Sequence, residues 1–296
     1  MKSQPLIKVY SGLIKEILAA SHTATQVVPE NVYQEGDKKI LSMFDTMIDD
    51  LLLPGSKIQG REHLSSLYAK AKTGAACILF VEHYSNIDLP GISYLLRKGG
   101  GDGAEIADAL VAIAGRKLNE ENPAVAAFAG AFTRIVLCPS RYNNTGGADS
   151  ERLKVININR AAMKKLDEIK RQGKIVLVFP AGTRCRPWDP ATKRGVREID
   201  SYIKSFDYFC PVAINGLVLD TRGGDMLEDH VHNDLLLYTA GPVQSCNDFR
   251  EAAKQKAGEN GAEDRKQFVV DRLMDALDAM HNTAETERQK LLSHLS

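Results

Sequence analysis

Apolar side chains stand at positions 6, 9, 10, 13, 14, 17 and 18, one broad helical face, and predict a helix over Leu6–Leu18. Lys8, Lys15 and Glu16 lie on its other side. Pro29 and Gly36 punctuate the chain, and a second helical pattern runs from Ile40 to Leu53 and stops at Pro54-Gly55. From about Gly60 the pattern changes. A helix-like segment, Glu62–Lys72, leads into the apolar run Ala75–Val81, and a helix is expected after Asp88. Strand-like runs recur at Ala109–Ala114, Arg134–Cys138, Lys174–Phe179, Phe209–Ile214 and Asp234–Thr239. Glu151–Arg171 is the longest helical pattern between them, and Asp264–Met280 reads as a closing amphipathic helix. Strands that alternate with helices and are apolar without interruption predict an α/β fold. The expected form is a mixed, largely parallel sheet covered by helices on both faces, with a small N-terminal helical region. That region is expected over residues 1–54 and the α/β domain over 55–296. The N-terminal helices read as a cap packed on the main domain, with an amphipathic membrane-surface helix as the alternative.

Composition narrows the class. A chain of 296 residues buries roughly three quarters of its unfolded surface, so it needs no disulfide or metal staple. Its 38 basic and 38 acidic side chains cancel, which removes the basic excess that wholesale nucleic-acid binding favours. The five cysteines are odd in number, form no Cys-x-x-Cys pair and read as buried thiols of a reducing compartment. Cys185 is the exception, because Arg184 and Arg186 on either side would acidify its thiol. No apolar run reaches the roughly 18 residues of a membrane span, and no signal-peptide pattern opens the chain. A cytoplasmic protein is expected, with room for peripheral contact at a membrane surface.

The candidate chemistry follows the strand ends, where ligands of such sheets gather. Just past Ala75–Val81 stand His83 and Asp88, joined by Tyr84-Ser85-Asn86-Ile87. A histidine there can take a proton from a substrate hydroxyl while the carboxylate holds its ring tautomer. Asp88 also reads as a helix N-cap ahead of Pro90, and its two oxygens allow both roles. The run Lys174–Phe179 breaks into Pro180-Ala-Gly-Thr-Arg-Cys-Arg186. Gly182 lets backbone N–H groups approach a ligand, and Arg184 and Arg186 can bind phosphate bidentately. A solvated basic loop is the bland alternative. Arg141 adds a third arginine past Arg134–Cys138, with Arg116 and Arg134 weaker and Lys193 and Arg194 read as surface charge. A base and an anion pocket suggest chemistry on a hydroxyl of a phosphorylated substrate. Asp225, Glu228, Asp229, His230, His232 and Asp234 form a second constellation. It lacks an identifiable third ligand at fixed spacing, so an acidic surface loop is expected and a metal is not. The cluster Gly99–Gly103 matches no nucleotide-binding fingerprint and reads as a loop.

These blocks resemble the glycerolipid acyltransferases, a family marked by His-x4-Asp and Phe-Pro-x-Gly-Thr-Arg, here His83…Asp88 and Phe179–Arg184. Ala114-Gly-Arg-Lys117, Asn122-Pro-Ala124, Phe132-Thr-Arg134, Cys138-Pro-Ser-Arg141 and Cys210–Ile214 extend the similarity over about residues 55–245. Their order is most similar to the soluble, plastid-type glycerol-3-phosphate acyltransferases. The resemblance implies that His83 is the catalytic base and Asp88 its partner. Arg141, Arg184 and Arg186, with Gly182 and Thr183, would cradle the acceptor phosphate. It further implies transfer of a fatty acyl group from acyl carrier protein or CoA to the sn-1 hydroxyl of glycerol 3-phosphate, without metal or cofactor. Acylation of lysophosphatidate and a non-catalytic lipid-binding relative are the alternatives. Two positions depart from the family pattern. Glu82 stands where Asn is usual, and Ala181 where membrane-type relatives have Glu. Glu82 could supply the carboxylate that the second block lacks, provided that the strand ends before it.

Overall fold

All five side chains of the strand Cys77–Val81 are buried, and they divide by parity. Cys77, Leu79 and Val81 join one apolar cluster, whereas Ile78 and Phe80 join another. The neighbouring strand Ile175–Val178 does the same, with Ile175 and Leu177 on one side and Val176 and Val178 on the other. Successive strand residues point to opposite faces, so an uninterrupted apolar run is what a sheet covered on both faces requires. The computed structural model describes residues 2–22, 26–120, 122–139, 149–223 and 226–295.

Nine strands form this sheet among the described residues. Its path runs Tyr33–Gln34, Arg134–Leu137, Leu110–Gly115, Ile175–Val178, Cys77–Val81, Tyr208–Asn215, Leu237–Ala240 and Lys57–Gln59, with Gln244–Ser245 paired beside Tyr208–Asn215. The five central strands are parallel to one another. Tyr33–Gln34 and Leu237–Ala240 run antiparallel to their inner neighbours. The architecture is the mixed, largely parallel α/β sheet that the pattern predicts. The first cluster is covered by the helices Leu6–Ala20, Lys38–Leu51, Arg61–Lys72 and Asp88–Lys98. The second lies under Asp149–Ile169, Ile199–Ser205, Cys246–Glu259 and Arg265–Ser293.

The N-terminal helices share the core of the sheet. Leu6, Ile14 and Ile17 of the first, and Ile40, Phe44, Met47, Ile48 and Leu51 of the second, are buried in the first cluster. Most of the apolar face that the sequence offers to a membrane is therefore spent on the protein, with Leu18 the exposed exception. Among the described residues, no helix is long and apolar enough to cross a membrane.

Three local differences have clear causes. The run Asp234–Thr239 joins the ladder only from Leu237, because the Asp234 carbonyl accepts Leu53 N–H at 2.9 Å and its carboxylate accepts Leu217 N–H at 2.8 Å. Gly103 opens a helix rather than ending a loop, and the Arg61 guanidinium bonds the carbonyls of Gly99 and Gly100. Gln4–Pro5, His230–Val231 and Leu219–Asp220 form a small antiparallel sheet whose two-residue strands are too short to show a period.

Candidate active site

The central strands end at one edge, and parity decides where the next residues go. Glu82 N–H still donates to Val212 O at 3.1 Å, so the pleat continues beyond Val81. His83 then follows Cys77, Leu79 and Val81 to the face of the Asp88–Lys98 helix. Phe179, in phase with Ile175 and Leu177, arrives on the same face. Its ring stacks on His83 with centroids 3.9 Å apart and planes 12° from parallel.

His83 Nδ1 lies 2.9 Å from Asp88 Oδ2. The same oxygen accepts Tyr84 N–H at 2.6 Å and Ser85 N–H at 2.9 Å, while Oδ1 accepts the Ser85 hydroxyl at 2.9 Å. Asp88 is thus not the N-cap that its place before Pro90 suggests. Ile87 holds the cap position, Asp88 is the first helical residue, and its carboxylate turns back into the loop. Four donors converge on the carboxylate of a residue only 3% exposed, which fixes its geometry before any substrate arrives. With Nδ1–H given to Asp88, Nε2 is the ring nitrogen left to accept a proton. The buried Tyr238 hydroxyl bonds the Asp88 carbonyl at 3.3 Å. Gly91 makes room for it, since a Cβ there would stand 2.2 Å from that oxygen.

The second block docks directly on the first. Cys185 N–H donates to His83 O at 2.7 Å. Gly182 makes the turn at φ +64°, a conformation that costs other residues strain, although the nearest atom to an added Cβ is 3.5 Å away. Its N–H donates to Phe179 O at 2.9 Å, so this group is already used inside the turn. Thr183 is half-buried beside it.

The two arginines of this loop differ. Arg184 Nη1 lies 3.0 Å from Asp229 Oδ2 and 3.3 Å from Thr221 Oγ1, and Asp229 is fully buried. Asp229 also accepts Arg222 N–H at 2.8 Å. Arg184 Nη2 and Nε have no partner among the described residues, so the side chain can anchor the loop and still face an anion. Arg186 is held through its backbone N–H to Thr192 Oγ1 at 2.8 Å. Its guanidinium has no hydrogen bond or ion pair among the described residues. Arg141 lies outside them. Arg116 is occupied by Glu120 and Glu151. Arg134 is buried against the carbonyls of Ala129 and Phe132, and burial pushes its guanidinium down to about 10. Lys193 is surface charge as expected, held in an exposed ion pair with Asp278 at 2.6 Å. Cys185 also departs from expectation. Burial pushes its thiol up, and Lys193 offsets that only in part.

Glu82 does not serve the second block. The pleat carries it, with Ile78 and Phe80, toward the C-terminal helix. There its Oε2 accepts Ile214 N–H at 2.8 Å and lies 3.0 Å from His281 Nδ1. Oε1 accepts the Tyr84 hydroxyl at 3.0 Å. The hydrogen bond to Glu82 raises the pKa of His281 above its ordinary value, against a lowering by burial. The parity of residue 82 carries a signal of this direction, but nothing local points to His281.

The acidic segment is dispersed among separate partners. Asp229 holds Arg184, His230 Nδ1 lies 3.1 Å from Ser3 Oγ, His232 Nδ1 lies 3.7 Å from Asp220, and Asp234 pairs with Arg288. Asp225 lies outside the described residues. Among the described residues, no three His, Cys, Asp or Glu side chains gather to hold a metal.

No family model and no curated protein matches the chain. Among solved structures, the chain is similar to the 1-acyl-sn-glycerophosphate (LPA) acyltransferase PlsC of Thermotoga maritima. The identity is 14% and the TM-score 0.44, with 92% of this chain and 88% of that one covered. A likeness of this degree carries no argument about activity, and the functional reading rests on the site.

Proposed function

We propose that this protein is a glycerol-3-phosphate 1-O-acyltransferase of phospholipid synthesis, moving a fatty acyl group from acyl carrier protein or CoA to the sn-1 hydroxyl. The observation that carries the reading is the His83 Nδ1–Asp88 contact of 2.9 Å, on a loop tied through Cys185 N–H to the segment bearing Arg186. One backbone hydrogen bond thereby ties the loop of the proton acceptor to the loop of the anion contact. Nε2 of His83 takes the proton of the acceptor hydroxyl as its oxygen attacks the thioester carbonyl. The resulting imidazolium is held by Asp88. Collapse of the tetrahedral intermediate breaks the C–S bond, and the imidazolium returns the proton to the departing thiolate. No enzyme nucleophile is needed, and the raised thiol of Cys185 suits that economy. Arg186, together with the free edge of Arg184, binds the acceptor phosphate, and Arg141 is a further candidate for the same anion. Metal and cofactor have no place in this scheme.

The test crosses two acceptors, glycerol 3-phosphate and lysophosphatidate, with acyl-CoA and acyl carrier protein as donors, and follows thiol release. Transfer to glycerol 3-phosphate that disappears in His83→Ala supports the reading. Transfer to lysophosphatidate alone would replace it with sn-2 acylation, and no transfer in any combination would leave a non-catalytic binding protein.

A further inference from the structure

The helix Asp149–Ile169 carries a surface that no other described residues cover. Val155, Ile158, Ala162, Leu166 and Ile169 face the sheet. On the opposite side Leu153, Ile156 and Met163 are 59%, 41% and 45% exposed. At 3.6 residues per turn these three fall in one row about 15 Å long, with Arg160 inside the row and Arg152 and Lys164 on its two flanks. The charges on this helix are sorted. Glu151, Asp167 and Glu168 are each paired, with Arg116, Lys170 and Lys165 respectively. Arg152, Arg160 and Lys164 have no hydrogen-bond or carboxylate partner among the described residues. The helix links Arg134–Leu137 to Ile175–Val178, and both strands run parallel to Leu110–Gly115 between them. Its N-terminal end therefore lies at the sheet edge where His83 stands.

We propose that this ridge docks the protein on an anionic membrane, with Leu153, Ile156 and Met163 entering the acyl–headgroup boundary and Arg152, Arg160 and Lys164 meeting lipid phosphates. Unpaired cations around exposed apolar side chains are the composition that binds such an interface. A helix ridge is convex and offers no groove, so it suits a deformable lipid surface better than a protein partner of fixed shape. The first helix, whose pattern alone suggests this role, has Leu6, Ile14 and Ile17 buried and Val9, Tyr10 and Leu13 packed against the core, with Leu18 left exposed. The use of the ridge rests on the acyl-transfer reading, in which the product is a lipid that must reach a bilayer. The ridge itself does not rest on that reading.

The experiment is cosedimentation of the full chain with phosphatidylcholine vesicles and with phosphatidylcholine–phosphatidylglycerol vesicles, at low and raised salt. Wild type should prefer the anionic vesicles. Leu153→Ser/Ile156→Ser/Met163→Ser should weaken that partition on the order of tenfold or more. Arg152→Glu/Arg160→Glu/Lys164→Glu should remove the anionic preference, roughly a 100-fold loss. All six positions are on the surface, and circular dichroism checks that the variants fold. As an independent readout, Leu153→Trp in a Trp188→Phe background should shift its fluorescence to the blue on addition of anionic vesicles. Absence of wild-type binding, or absence of that shift, overturns the proposal. Binding that survives serine but not glutamate substitution also overturns insertion, and would mark the ridge as an electrostatic surface for an acidic partner. Vesicle binding is read without turnover, and acylation of water-soluble glycerol 3-phosphate is read without vesicles. The two readings can therefore fail separately.

Discussion

Two histidine–carboxylate pairs flank one peptide bond, and they differ in nearly everything except distance. Asp88 Oδ2 stands 2.9 Å from His83 Nδ1, and Glu82 Oε2 stands 3.0 Å from His281 Nδ1. Glu82 and His83 are consecutive, so the pleat sends them to opposite faces of the sheet. On one face the pair closes within a short loop. Its carboxylate is saturated by loop donors, and the histidine lies against the arginine segment. On the other face the carboxylate bonds the backbone of Tyr208–Asn215 and clamps the C-terminal helix to the strand end. A histidine beside a buried carboxylate is therefore not in itself a sign of catalysis. The surroundings of the ring decide whether its proton chemistry is accessible to a substrate.

The largest effect expected is on turnover. His83→Ala should lower kcat by about 10²–10⁴, while His281→Ala should stay within about tenfold of wild type because its bond to Glu82 lies on the other face of the sheet. Equal losses in a thiol-release assay would erase the distinction between the two pairs. Next come the arginines, which test whether the His83 side is the anion side. Arg184→Ala strands the buried Asp229 carboxylate and should cost about 3–5 kcal/mol in urea unfolding. Arg186→Ala should leave stability within about 0.5 kcal/mol. It should raise the acceptor KM roughly 10- to 150-fold through the loss of a charged hydrogen bond. A stability loss at Arg186 without a change in KM would move that residue out of the site.

The smallest effect is a pH dependence belonging to the other pair. Glu82 raises the pKa of His281 above its ordinary value of 6.5. The folded state therefore binds this proton more tightly than the unfolded chain. The resulting stabilisation is complete below 6.5 and is lost as pH rises through the raised value. Urea midpoints should fall across that window in wild type and flatten in His281→Gln. Glu82→Gln should flatten them too, and an unchanged slope in both would show that the pair is not charged in the folded state.

Much of the fold is legible in local pattern. Ala75–Val81, Lys174–Phe179 and Phe209–Ile214 read as buried parallel strands because a sheet covered on both sides needs apolar residues at every position, and they differ from the observed strands only at their ends. His83 and Asp88 are legible as a pair because the loop joining them is too short to separate them. Asp88 departs from the cap role for an equally physical reason. An aspartate ahead of Pro90 has the composition of an N-cap, but the loop before it offers three donors and His83 besides. Arg184 and Arg186 look alike in sequence, and only the fold brings Asp229 to one of them.

Pattern and spacing along the chain thus determined the longer central strands, the two faces of the sheet and the pairing of His83 with Asp88, since each depends on residues a few positions apart. Tertiary structure alone decided which arginine is paired, which cluster of acids is dispersed, which helix keeps an apolar ridge in solvent and where Glu82 finds its histidine. Those contacts join residues tens to hundreds of positions apart. Side-chain periodicity records which face a residue turns to, but not which distant segment packs there.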